Sequence, residues 1–401
     1  MLASRANASL GIAYSVFFAL VALAASLFSP PLALLLAWVG VVVSAQEAPE
    51  HVSWPLMAFA HAGALIFASR TFADASSDFV GYYAVYEATC HVGSDLEDTL
   101  LAFGPEIGLP AFYQLLSALG LCGLSINGLA WLQGFLTAAA LLLVTARWAR
   151  KEARPDELPM ALAGLCLMFS FFYVTQLSRQ AVSSVFVLAA LWHARSRRAT
   201  FVLLLVATLF HVTAPLIWGL CVLMRGRVRR AVPALILTAA IPILAFDQIV
   251  AFAVEHVDSF GPLAKLAIYS APGDDGGGPS SDWQGAVQLA FAGALFAWRA
   301  RREPDLAKDA RMLIGLSMVA LAMLPVPLAS TRATLPIAWL AIGAFVFRGL
   351  AGTARPLGWL VLAALLTLRV VAASMPSEGA HALWFAFAPV GWFPGYWLLA
   401  F

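Results

Sequence analysis

Apolar runs of about 20 residues recur from Leu10 to the C-terminus, with no polar segment of domain length between them. That is the length a helix needs to cross a hydrocarbon layer of about 30 Å, where no water satisfies an open backbone. The composition agrees, with 62% hydrophobic and 11% charged residues and a mean hydropathy of +0.85. The chain is therefore expected to be an all-α polytopic membrane protein, a single integral membrane domain over residues 1–401. Arg5 precedes the run Leu10–Phe28 as in a signal peptide, yet no small-residue cleavage site separates it from the next run, so a retained first helix is expected. The formal net charge of +2 gathers in short basic clusters between spans, which gives a nucleic-acid partner no support.

Those clusters set the topology. The four densest are Ala146–Arg154, Arg195–Arg198, Arg225–Arg230 and Arg299–Glu303, and the positive-inside rule assigns all four to the cytoplasmic side. The runs Leu158–Gln176 and Ala181–Trp192 then pass out and back, and the turn with Ser178, Arg179 and Gln180 lies outside. The same count puts Arg332 outside and makes two segments external. Residues 69–125 form a large loop with short helices, holding Asp74, Asp78, His91, Asp95, Glu97, Asp98 and Glu106; residues 252–285 carry Lys265, Tyr269 and a glycine-rich stretch. Only residues 199–224 separate the second and third clusters, too few for two spans of roughly 20 residues. The interruption FHVTAP, with His211 and Pro215, points instead to two short helices that dip in and return, with His211 at the tip.

Arg179, His211 and Arg332 thus fall near external helix ends, where they could share one cavity. Ionisable groups in apolar segments are costly in lipid and usually face protein or water, and an arginine fork suits phosphate or carboxylate. Each residue also has a plainer reading. Arg179 and Arg332 could face lipid headgroups, His211 could bond a backbone carbonyl at a helix break, and Asp78 could cap the stretch with Tyr82, Tyr83 and Tyr86. Arg369, late in its span, reads as a snorkelling residue, and Trp392, Tyr396 and Trp397 suggest an interfacial ending. Cys90, Cys122, Cys166 and Cys221 form no CxxC pair; two lie in strongly apolar segments, and a Cys90–Cys122 disulfide stays open. HEXXH, paired CxxC and a sound DxD are absent, so no metal site is expected, and without P-loop or GxSxG patterns ATP-driven chemistry and serine hydrolysis have little support.

The stretch LSRQAVSSVFVLAALW, followed by RRATFVLLLVATLFHVTAPLIWGL, resembles the paired RQ and FH segments of the EpsG family of Wzy-like polysaccharide polymerases. More loosely, SSDFVGYYAVYE is similar to the family's early aspartate and tyrosine segment, LAKLAIYSAPG to its lysine and tyrosine, and STRATLPIAWLA to its late arginine helix. Thr213 stands where the family usually has serine.

The resemblance implies a GT-C-like bundle of roughly 11–14 transmembrane helices, some short or re-entrant. It implies a metal-independent glycosyltransferase without cofactor, in the bacterial cytoplasmic membrane, its active site facing the periplasm or cell exterior. The implied reaction joins oligosaccharide repeat units carried on undecaprenyl diphosphate, in O-antigen or exopolysaccharide synthesis. Donor and acceptor lipids, the bilayer and a chain-length regulator are the expected partners. In that reading Arg179 and Arg332 hold the diphosphate, Lys265 is a weaker third donor, and Gln180, Tyr83 and Tyr269 contact the acceptor or its sugars. His211 positions the acceptor or takes its proton, with Asp78 as the competing base. Three rivals share the sequence features: a GT-C enzyme adding one sugar from a polyprenyl phosphate, a transporter or flippase, and a membrane O-acyltransferase using His211.

Overall fold

The computed structural model describes residues 2–71, 78–90, 102–226, 282–324, 329–373, 377–379 and 382–384. They form a polytopic membrane protein of the all-α class, with sixteen α-helices and three short strands among the described residues. Helices α1 (Leu2–Ser26), α2 (Pro30–Glu47) and α3 (Ser53–Ala68) pack together, and Ser29 turns the chain between the first two by accepting from Leu32 N at 3.4 Å. After the short strand β1 (Arg70–Thr71) come α4 (Asp78–Cys90), α5 (Gly108–Ala118) and the 27-residue α6 (Ile126–Glu152), which Ser125 caps through Gly128 N at 3.0 Å. Then follow α7 (Leu158–Met168), α8 (Phe171–Gln176), α9 (Ser178–Trp192), α10 (Arg197–Phe210) and α11 (Ala214–Arg225). The later part holds α12 (Asp282–Ala300), α13 (Ala307–Ala322), α14 (Ala329–Ala338), α15 (Ile342–Thr353), α16 (Arg355–Ala373) and strands β2 (Ser377–Gly379) and β3 (Ala382–Trp384).

The chain divides into two compact units, residues 1–214 with 343–401, and residues 215–342. In the first, the ring of Trp148 on α6 stacks on Trp192 at 4.9 Å and meets Phe345 at 4.4 Å, tying α6, α9 and α15 together. Nearby, the fully buried Glu157 carboxylate accepts from Arg154 at 2.8 Å and faces Arg348 at 3.5 Å, while Arg348 also donates to the Glu152 carbonyl. In the second unit α12 and α13 run against each other; Ser317 donates to the Ala286 carbonyl, and Arg225 pairs with buried Asp309 at 2.8 Å.

Four described helices are long and apolar enough to cross a membrane, or five if the pair broken between Ala338 and Ile342 is one span. Large apolar side chains such as Phe201, Leu360 and Leu368 point outward, as a hydrocarbon solvent requires. Several features depart from the sequence pattern. The run Leu158–Gln176 is two helices, because Phe169 turns extended and Ser170 restarts the chain by capping α8. Arg369 does not snorkel: its Nε donates to the Leu167 carbonyl and its guanidinium to the Phe169 carbonyl, both at 3.0 Å. It supplies the hydrogen bonds that the break took away, which lipid cannot provide. A three-stranded antiparallel sheet in the order β1-β3-β2, pairing Arg70 and Ser377 with Trp384, adds to the helices. Cys90 and Cys122 do form a disulfide, with Cα atoms 5.6 Å apart, whereas Cys166 and Cys221 are buried thiols. The interruption FHVTAP is the break between α10 and α11, which are indeed short. Lys265, Tyr269 and the aromatic C-terminal stretch fall outside the described residues.

Candidate functional site

Glu106 ends a turn that Gly104 makes in the left-handed conformation, φ +65°. Two residues later, Gly108 opens α5 with no room for a side chain: a Cβ there would stand 2.8 Å from the Phe210 ring and 3.0 Å from the Leu209 backbone. This close approach lays the start of α5 on the end of α10, and it sets Glu106 beside His211.

His211 is the extended residue that terminates α10, with φ −156° and ψ 118°. Its Nδ1 lies 2.7 Å from Glu106 Oε1, and the Val212 N–H, freed by the break, donates to the same oxygen at 3.0 Å. Arg179 reaches the other oxygen, Oε2, from the first turn of α9. That turn starts at Ser178, whose hydroxyl donates back to the Val174 and Thr175 carbonyls at the α8 junction. The Arg179 guanidinium lies over the Phe103 ring, 4.6 Å from its centre, and 5.7 Å from that of Tyr82. Three segments distant in sequence therefore meet on one carboxylate.

The carboxylate is buried, and its two side-chain partners are largely so. Burial alone would raise the Glu106 carboxyl; the hydrogen bond to His211, the Arg179 guanidinium and the Val212 N–H outweigh it and hold the group below its ordinary value. With a neutral imidazole the trio carries no net charge, which is what a desolvated ionic group needs. The same unit holds an apolar cleft lined by Leu109, Phe112, Val182, Phe186 and Phe210 with Gln133 and Thr137 as its polar edge; Phe210 immediately precedes His211 in the chain.

The EpsG family model matches residues 56–374, a stretch that contains all three segments. The chain belongs to the EpsG family. Membership supports a polysaccharide-polymerase-like role in broad terms. No curated protein and no solved structure matches the chain.

Within this EpsG protein the expected site residues are placed unevenly. Arg179 and His211 come together through Glu106. Asp78 opens α4, where a carboxylate suits the helix N-terminus, and it is not among the groups that contact Glu106. Gln180 is buried, and the Tyr83 hydroxyl donates to the Leu124 carbonyl at 3.2 Å. Arg332, in the second unit, lies in the first turn of α14 beside buried Thr331. No group of three His, Cys, Asp or Glu residues with metal-ligand geometry occurs among the described residues.

Glu106 itself is the residue that pattern reading passed over. Its signal in the sequence is the run GPEIGLP, an acid between turn-forming residues just ahead of an apolar helix. That marks a helix entry, but the partners lie 73 and 105 residues away.

Proposed function

We propose that this EpsG protein is a Wzy-type polymerase, which transfers a glycan from undecaprenyl diphosphate onto the next lipid-linked repeat unit. The observation that carries the reading is the convergence of Arg179 and His211, from the two segments most like the family, on one buried carboxylate.

In the reaction an acceptor hydroxyl oxygen bonds to the anomeric carbon of the donor. The bond from that carbon to the diphosphate oxygen breaks, its electron pair leaves on the diphosphate, and the hydroxyl proton must be taken up. Arginine serves the first need, because a permanently charged fork stabilises the departing diphosphate. We assign Arg179 to it, with Arg332 and Lys265 as the further cations. Histidine serves the second, since it titrates near the working pH. The site is assigned to the external face; the Cys90–Cys122 disulfide, a bond of oxidising compartments, supports that side for the segment that carries Glu106.

The test is the polysaccharide ladder of a strain lacking the gene, complemented with wild type or Arg179→Ala at matched protein level. A lost ladder with one accumulating lipid-linked repeat, restored by wild type alone, is expected. An unchanged ladder in the deletion strain would overturn the polymerase reading.

A further inference from the structure

We propose that Glu106 is the positioning residue of the site: it fixes the imidazole of His211 so that Nε2 receives the acceptor's proton, and it holds the Arg179 guanidinium at the same place. The inference rests on the reading above and adds a residue that neither the family resemblance nor the sequence pattern assigns.

The argument begins with donors and acceptors. An ionised carboxylate only accepts. His211 Nδ1, 2.7 Å from Oε1, must therefore carry the hydrogen of that contact. A neutral imidazole has one N–H, so the lone pair is on Nε2. Nε2 has no hydrogen-bond partner among the described residues, and His211 keeps partial exposure, 17% of its side chain. Glu106 also accepts from the Val212 N–H on Oε1 and from Arg179 on Oε2, so the carboxylate is held from three sides. It cannot turn away without releasing all three donors. When Nε2 takes the hydroxyl proton, the imidazole becomes a cation beside an anion already in place. The proton that moves is the one the new glycosidic bond displaces, so charge balances across the step.

The same contacts decide between the two bases considered for the reaction. Asp78 contacts neither His211 nor Glu106, and its charge acts on Arg179 from α4. The other titratable groups facing the trio are Tyr82 on α4 and Tyr113 on α5.

The experiment measures turnover, KM and the pH profile of full-length protein in membranes, using lipid-linked repeat units and quantifying ladder formation per folded molecule. Glu106→Gln is expected to lower turnover roughly 100-fold with KM little changed, because a misoriented base is lost in the transition state only. Removing the negative charge also favours neutral imidazole, so the acid limb of the profile moves to lower pH. Glu106→Asp keeps the charge and should hold the limb near the wild-type position while recovering part of the turnover. Glu157→Gln, a buried carboxylate removed elsewhere, controls for loss of packing. Turnover unchanged in Glu106→Gln would overturn the inference. So would a fall with an unmoved limb and no recovery in Glu106→Asp, the signature of a purely structural residue. A wild-type protein that makes no ladder fails the polymerase reading instead, so the two failures are distinct.

Discussion

Glu106 and Glu157 are both buried carboxylates held by an arginine from a distant helix, and the comparison separates a site from a brace. Glu157 is fully buried; Arg154, three residues before it, and Arg348 on α15 close over it. Arg348 spends its remaining contacts on the Glu152 carbonyl and the face of Trp148. Its role ends in joining α6, α7 and α15. Glu106, itself at a turn, has partners at two chain interruptions, the end of α10 and the start of α9. It contacts a histidine whose second nitrogen has no hydrogen-bond partner among the described residues. Ion pairing alone does not mark function; pairing through a group that can still change its protonation does.

Mutations sharpen that contrast. His211→Ala is expected to lower polymer formation by roughly 100-fold or more at wild-type protein level, measured as ladder intensity per folded molecule. Arg179→Lys should lose nearly as much as Arg179→Ala, since a point charge lacks the fork and the stacking on Phe103; full polymer length in the lysine variant would remove Arg179 from the diphosphate. Glu157→Ala should act on stability instead, by about 3–5 kcal/mol, because it strands the Arg348 charge. Thermal unfolding in detergent reads that loss, and a matching fall in turnover per folded molecule would erase the distinction between the two carboxylates. Gly108→Ala should cost about 1–3 kcal/mol by forcing α5 off Phe210, with a partial loss of turnover as Glu106 shifts.

Acid gives the smallest effect and the cleanest sign. The folded-state pKa of Glu106 is depressed, so its contribution is fully present above the unfolded carboxylate value and is lost as pH falls through the folded one. A melting-temperature scan from neutral to acid should therefore steepen below the ordinary carboxylate range. Glu106→Gln should flatten that part of the curve, and identical slopes would show that the carboxylate is not ionised in the folded protein.

Much of the helical framework was legible because lipid enforces it. The apolar run from Leu10 to Phe28 falls mostly within α1, which begins earlier at Leu2 and ends at Ser26, and the run from Ile126 to Val144 is α6, which continues through the basic cluster to Glu152. The interruption at His211 was legible from proline and histidine within an apolar run. The break at Phe169–Ser170 was not, since neither residue forbids a helix; it persists because Arg369 pairs its carbonyls. Glu106 escaped for the same reason, as one acid among seven in its segment until the approach at Gly108 selected it. Local composition fixes which segments are helical, whereas breaks and sites depend on partners that only tertiary packing supplies.

The bond between Arg369 and the broken segment also has a history. At roughly 5–20 residues per second, the 202 positions between Leu167 and Arg369 take on the order of 10–40 s to synthesise. Throughout that interval the Leu167 and Phe169 carbonyls sit in a nascent chain whose partner has not been made. The segment that leads into Arg179 is thus completed only by a residue made 202 positions after Leu167, so a chain that stops short of Arg369 ends with its earlier half still unfinished.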